Sequence, residues 1–289
     1  MTHSVRKSTA LTVLGVVLGS LAGCGGPGSA PADGPPADGR TPVAAHAPSH
    51  AASAPPTLAP GPGARTPVFE RGVKAGEKVV ALTFDADMTA DEGPRAAAGE
   101  HFDNPGLIDL LRRAKVPATV FMTGRWADEY PAQARSIGAD PLFEVGNHSY
   151  SHYAFKSPCY GLPAVAKDDM RADVVRASVS FRKAGVRNTV PYFRFPGGCY
   201  DDASLRALAP EKVTAVQWDV ISGDAFATDP DAVAEQVLDE VKPGSLVVMH
   251  CTLSAAPVTD EAVERIVPEL RERGYRFVKV SDLIRAAQR

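Results

Sequence analysis

Residues 245–250 read SLVVMH, an apolar run from Leu246 to Met249 closed by His250. Runs of the same kind recur along the chain: KVVALTF (78–84), ATVFM (118–122), PLFEV (141–145), VPYFRF (190–195), KVTAVQW (212–218) and YRFVKV (275–280). They are rich in β-branched residues and nearly continuous in apolar character, as strands buried on both faces are. Helical patterns lie between them. Asp229 and Pro230 open DAVAEQVLDEV with a cap and a first-turn proline, and Gly274 stops DEAVERIVPELRER. Such alternation predicts a parallel sheet covered by helices. About seven strands in roughly 220 residues close most economically into a β/α barrel, with a flat doubly wound sheet as the alternative.

In a barrel of this kind the chemistry sits at the C-terminal ends of the strands. Asp85 follows VVALTF, His148 and His152 follow LFEV, Arg194 lies in YFRF, Asp224 follows VQWD, and His250 ends LVVMH. Each candidate group therefore falls at the same end of a different strand. His148 and His152 are four residues apart, and on one turn of helix both rings would face one point, as a metal requires. HSYSH lacks the glutamate of HExxH, which argues against a metalloprotease.

Taken in order, TFDAD (83–87), HSYSH (148–152), RFPGG (194–198), ISGDA (221–225) and LVVMH (246–250) resemble the motif series of the polysaccharide deacetylase, or NodB-homology, family of carbohydrate esterases. The resemblance runs from about Lys78 to Leu283 and implies a distorted (β/α)7 barrel. It implies that His148 and His152 hold a divalent metal, usually zinc, through neutral imidazole nitrogens. Asp85 would be the general base and His250 the general acid that protonates the departing amine. Arg194 would keep Asp85 ionised and aimed, Asp224 would stabilise charged His250, and a backbone N–H at the PGG turn would meet the oxyanion. The pattern departs at Ala86, where the family carries a metal-binding Asp; a shift of the loop would make Asp87 the third ligand, and two histidines with waters are the alternative. It departs again at Ala225, in place of a Trp, with Phe226 next as a replacement wall. His101 reads as a loop residue.

The chain opens with MTHSVRKSTALTVLGVVLGSLAGC, basic at Arg6 and Lys7 and apolar to Leu21, too short for a comfortable membrane span. Residues 1–23 read as an export signal. LAGC resembles a bacterial lipobox, which would leave lipid on Cys24; an ordinary secretory signal with an incidental cysteine is the alternative. Residues 24–66, almost all Pro, Ala, Gly, Ser and Thr, read as a linker that reaches ~35 Å as coil or ~130 Å as extended polyproline helix. His46 and His50 fall in that tract and read as solvated. Residues 67–289 suit one catalytic domain.

A formal charge of −3 and a pI near 6.2 offer no case for nucleic acid. Of the remaining cysteines, Cys159 and Cys199 lie in loops that can adjust to disulfide geometry, whereas Cys251 continues a strand; buried free thiols are the alternative. The expectation is a monomeric, extracytoplasmic lipoprotein of the cell membrane that acts on polysaccharide. On a flexible stalk it meets peptidoglycan first, so the N-acetyl groups of its amino sugars are the leading target. The rivals are O-acetyl hydrolysis on xylan or another glycan, and a glycan-binding lipoprotein weakened in catalysis, which Ala86 suggests.

Overall fold

The computed structural model describes residues 54–72 and 77–289. The signal segment, Cys24 and the linker up to residue 53 lie outside the described residues. Strands β1 (Val68–Phe69), β2 (Val79–Ala86), β3 (Ala118–Met122), β4 (Phe143–Asn147) and β5 (Thr189–Phe193) are followed by β6 (Thr214–Val216), β7 (Val220–Ile221), β8 (Ser245–His250) and β9 (Arg276–Phe277). The helices are α1 (Gly93–Ala97), α2 (Pro105–Ala114), α3 (Gly124–Glu129), α4 (Pro131–Ala139), α5 (Met170–Ala184), α6 (Asp202–Leu208), α7 (Pro230–Glu240), α8 (Thr259–Glu272) and α9 (Val280–Ala287). All strand pairs are parallel, in the order β1-β6-β5-β4-β3-β2-β8-β7, with β9 also on β2.

Gln217–Asp219 runs from β6, next to one end of that order, directly to β7 at the other end, so the chain itself bridges the two sides of the sheet. Asp219 sits at the join, accepting from Leu246 N–H at 2.6 Å and from the Ser245 hydroxyl at 2.9 Å. The sheet therefore curls into a distorted β/α barrel and is not a flat doubly wound sheet. β1 and β7, absent from the sequence reading, are two residues each and carry no readable periodicity.

Alternation along β2 sorts two layers. Val80, Leu82, Phe84 and Ala86 face the helices in the large outer core. Ala81 faces the barrel interior with Phe121, Tyr192, Leu246 and the α9 residues Val280, Leu283 and Ile284, so α9 plugs the floor. The plug is tied in by a buried carboxylate: Glu144 accepts from the Thr119 hydroxyl at 2.8 Å, from Ser281 N–H at 3.1 Å and from the Ser281 hydroxyl. Asp229 caps α7 through Asp231 and Ala232 N–H, as its sequence implies.

The packed region begins before the Pro67 boundary read from composition. Pro56 carbonyl accepts from the Tyr192 hydroxyl at 2.9 Å, Leu58 N–H donates to Thr214 Oγ1 at 3.0 Å, and Thr66 N–H donates to Leu205 carbonyl at 3.1 Å. A Pro-rich stretch can lie on a domain when folded neighbours supply its hydrogen-bond partners.

Candidate active site

Asp85 and His250 are register partners on the adjacent strands β2 and β8, so their side chains leave the same face of the sheet. Arg194, just past β5, is fully buried and donates from Nη1 to Asp85 Oδ1 at 2.7 Å. Its other donors reach the Val216 and Gln217 carbonyls at 3.2 and 3.4 Å, and its guanidinium lies 4.0 Å from the Phe121 ring centroid. That ring occupies the space above Gly146, where a Cβ would stand 2.5 Å from it. Burial lowers the Arg194 pKa and the Asp85 charge works against it, so the pair is a desolvated, hydrogen-bonded ion pair.

His148 extends the β4 ladder, donating its N–H to Met122 carbonyl at 2.9 Å. Its Nδ1 lies 2.9 Å from Arg194 carbonyl, which assigns the ring proton to Nδ1 and leaves Nε2 as a lone pair facing the site. Burial pushes this imidazole down to about 4, against the pull of Asp85, so it stays neutral. Its Nε2 is 3.6 Å from Asp85 Oδ2.

The HSYSH segment is not the helical turn its spacing suggests. Ser149 and His152 take left-handed backbone, φ 67° and 57°, and the two rings converge through an irregular loop with centroids 4.9 Å apart. Asp173 on α5 holds that loop, accepting from Tyr150 N–H, Ser151 N–H and the Ser151 hydroxyl at 3.1, 3.2 and 3.0 Å. Asn147 assists, taking Ser149 N–H at 2.8 Å. Nothing local in the sequence marks Asp173, which acts from more than twenty residues downstream.

Asp87 returns to the Asp85 side of β2, while Ala86 faces the outer core. No shift of the loop is needed to bring Asp87 in; period-two alternation does it. Asp87 Oδ2 is 3.5 Å from His152 Nε2. Burial works to raise its pKa, but His152, His250 and the Thr252 hydrogen bond hold it below the usual carboxylate range.

Asp224 lies 2.8 Å from His250 Nδ1 through Oδ1 and accepts His250 N–H through Oδ2 at 2.7 Å. Ser222 and Thr259 hydroxyls donate to the same carboxylate at 2.9 and 2.8 Å, partners that the sequence reading missed. Burial opposes the His250 charge, yet Asp224, with Asp87 and Asp85 beyond it, pushes this ring up to about 10.

The RFPGG turn bends through Gly197 and Gly198, both at positive φ; a Cβ on Gly197 would stand 2.6 Å from Cys159 Sγ, and one on Gly198 2.6 Å from the Trp218 ring. Gly198 and Cys199 N–H groups are bonded within the turn to Phe195 and Pro196 carbonyls, whereas Gly197 N–H is not bonded within it. Cys159 and Cys199 form a disulfide across this face. Cys251 is buried and free, its thiol pushed up to about 12 by burial. His101 is itself exposed and stands apart, 3.0 Å from buried Asp103, and Phe226 is 81% exposed and walls nothing in.

The sequence model described as polysaccharide deacetylase matches residues 72–216. The chain belongs to the polysaccharide deacetylase family. A chitooligosaccharide deacetylase of Sinorhizobium fredii is 30% identical over 198 residues, covering 65% of this chain and 86% of its own length. A peptidoglycan-N-acetylglucosamine deacetylase of Bacillus cereus is 29% identical over 216 residues, covering 74% and 91%. Among solved structures, a CE4 family pseudoenzyme from Bacillus anthracis aligns with a TM-score of 0.62 at 26% identity, over 79% of this chain and 70% of that one.

Polysaccharide deacetylases of this family generally depend on a divalent metal. Among the described residues no three His, Cys, Asp or Glu side chains stand preformed as a cage. The donor set nevertheless fits. Ligand atoms about 2.1 Å from a tetrahedral ion lie roughly 3.4 Å from each other. The His152–Asp87 separation of 3.5 Å matches that chord, and Nε2 of His148 is held as a lone pair on the same side.

Proposed function

We propose that this chain is a metal-dependent hydrolase that removes acetyl groups from N-acetylated cell-surface polysaccharide, with peptidoglycan amino sugars as its target. The observation that carries the reading is the pairing of Asp85, ion-paired to buried Arg194, with a charged His250–Asp224 dyad in register beside it. In this reading the carboxylate serves as base and the imidazole as acid, side by side on one face of the sheet.

His148, His152 and Asp87 are the residues that would hold the ion, zinc in our reading. When bound, such an ion polarises an acetyl carbonyl and acidifies water. Asp85 then takes the proton of the attacking water on Oδ2, because Oδ1 is occupied by Arg194. His250 gives its proton from Nε2 to the departing amine, since Nδ1 is committed to Asp224. Gly197 N–H is the donor this reading assigns to the oxyanion.

Release of acetate from N-acetyl oligosaccharides and from acetylated xylan, with added zinc and with chelator, tests the reading. Metal-dependent release from the N-acetyl sugars is expected. Release from xylan alone would make the chain an O-acetyl esterase, and binding without release from either would make it a glycan-binding protein. Ala86, the departure that suggests weakened catalysis, faces away from the site.

Asp224→Asn should lower turnover and move the basic limb of the pH–rate profile down by roughly one to three pH units. The sign follows from the acid: His250 works protonated, Asp224 is what holds its pKa up, and losing that charge lets the proton leave at lower pH. An unmoved limb would show that Asp224 is not coupled to the acid.

For location we keep the sequence reading of a lipid-anchored, monomeric protein outside the membrane. Among the described residues no helix is long and apolar enough to cross one. Cys24→Ala should release the protein from the membrane fraction or stall its processing; unchanged fractionation would end the lipoprotein reading.

A further inference from the structure

Asp87 lies one residue past β2, and Thr252 two residues past β8. The two strands are in register at Asp85 and His250, and their ladder runs on: Cys251 N–H donates to Asp85 carbonyl at 2.8 Å. At the next step the side chain of Thr252 takes over. Asp87 N–H donates to Thr252 Oγ1 at 3.3 Å, and the Thr252 hydroxyl donates to Asp87 Oδ1. Thr252 is 1% exposed, so little water reaches the hydroxyl to replace either bond.

One carboxylate oxygen is thus tethered, and the other is the one turned to His152 Nε2 at 3.5 Å. The arrangement repeats that of His148, where Arg194 carbonyl holds Nδ1 and Nε2 is presented. We propose that Thr252 is the positioning residue that makes Asp87 a metal ligand. Its hydroxyl fixes the carboxylate rotamer, presents Oδ2 beside His152, and keeps Oδ1 occupied. A strand-end carboxylate without such a tether would sample several rotamers and lose freedom on binding. The inference rests on the reading of Asp87 as the third ligand.

Zinc titration of the full chain, freed of metal and followed by calorimetry or by competition with a chromogenic chelator, tests it without any substrate. Thr252→Val, which keeps the β-branched shape and removes the hydroxyl, should bind zinc about 10- to 100-fold more weakly. Thr252→Ser should bind close to the parent. Thr252→Val combined with Asp87→Asn should bind no more weakly than Asp87→Asn alone, because the hydroxyl acts through that carboxylate. If Thr252→Val melts early, Thr252→Ala removes the same hydroxyl with less bulk and carries the same expectation. Parent-like zinc affinity in the hydroxyl-free variant, with Asp87→Asn weak, overturns the role of Thr252 and leaves Asp87 as ligand. Parent-like affinity in Asp87→Asn overturns the reading beneath it, and this inference with it.

Discussion

Asp85→Asn should lower the rate of acetate release by about a thousandfold or more while zinc still binds. Removing a positioned general base typically costs between 10²- and 10⁴-fold, and an amide cannot take up the proton of water. The substitution also touches stability. Arg194 is fully buried, and the neutral amide leaves its charge without a counter-ion. Breaking a buried ion pair from one side costs about 3–5 kcal/mol, softened here by the Val216 and Gln217 carbonyls and the face of Phe121. A lowered melting temperature should therefore accompany the lost turnover. Turnover within tenfold of the parent would mean that another group is the base. Loss of zinc together with turnover would mean that Asp85, 3.6 Å from His148 Nε2, is itself a ligand.

The second large effect belongs to the ion. Asp87→Asn and His148→Ala should each weaken zinc binding by roughly a hundredfold or more, because losing a ligand costs more than the 10- to 100-fold typical of its outer partner. The two losses should be comparable, since each removes one of three protein donors from a catalytic-type site. His148→Ala also empties a fully buried position and frees the Arg194 carbonyl, so it should lower the melting temperature more than Asp87→Asn, which keeps the side-chain volume, does. Titration and melting curves of the two variants, measured side by side, check both statements. Parent-like zinc affinity in Asp87→Asn would leave two histidines with Asp85 or water to complete the site.

The strands that carry Asp85, His148, Arg194 and His250 were legible because each is a near-continuous apolar run, and burial on both faces leaves that trace in composition. Their common end was legible too, since every candidate side chain lies at or just past the C-terminal end of a run and none opens one. The face of β2 was equally readable from period-two alternation, yet motif spacing drew attention to Ala86 as a position when its direction was what mattered. Residues 54–66 misled for the opposite reason. A Pro-rich composition reports that a stretch cannot build a core, but not that Tyr192 and Thr214 will offer it hydrogen bonds.

What the sequence by itself determined is the parallel barrel, the set of side chains at its mouth, and the family. Those follow from local pattern, where each residue and its near neighbours suffice. What only the tertiary structure decided is how those side chains are held. The histidine pair converges through left-handed backbone at Ser149 and His152 because Asp173 takes the loop's N–H groups. Asp87 is aimed by Thr252, 165 residues away, and His148 by the carbonyl of Arg194, 46 residues away. Hydrogen bonds over such separations depend on strand register and barrel closure, which no window of sequence contains.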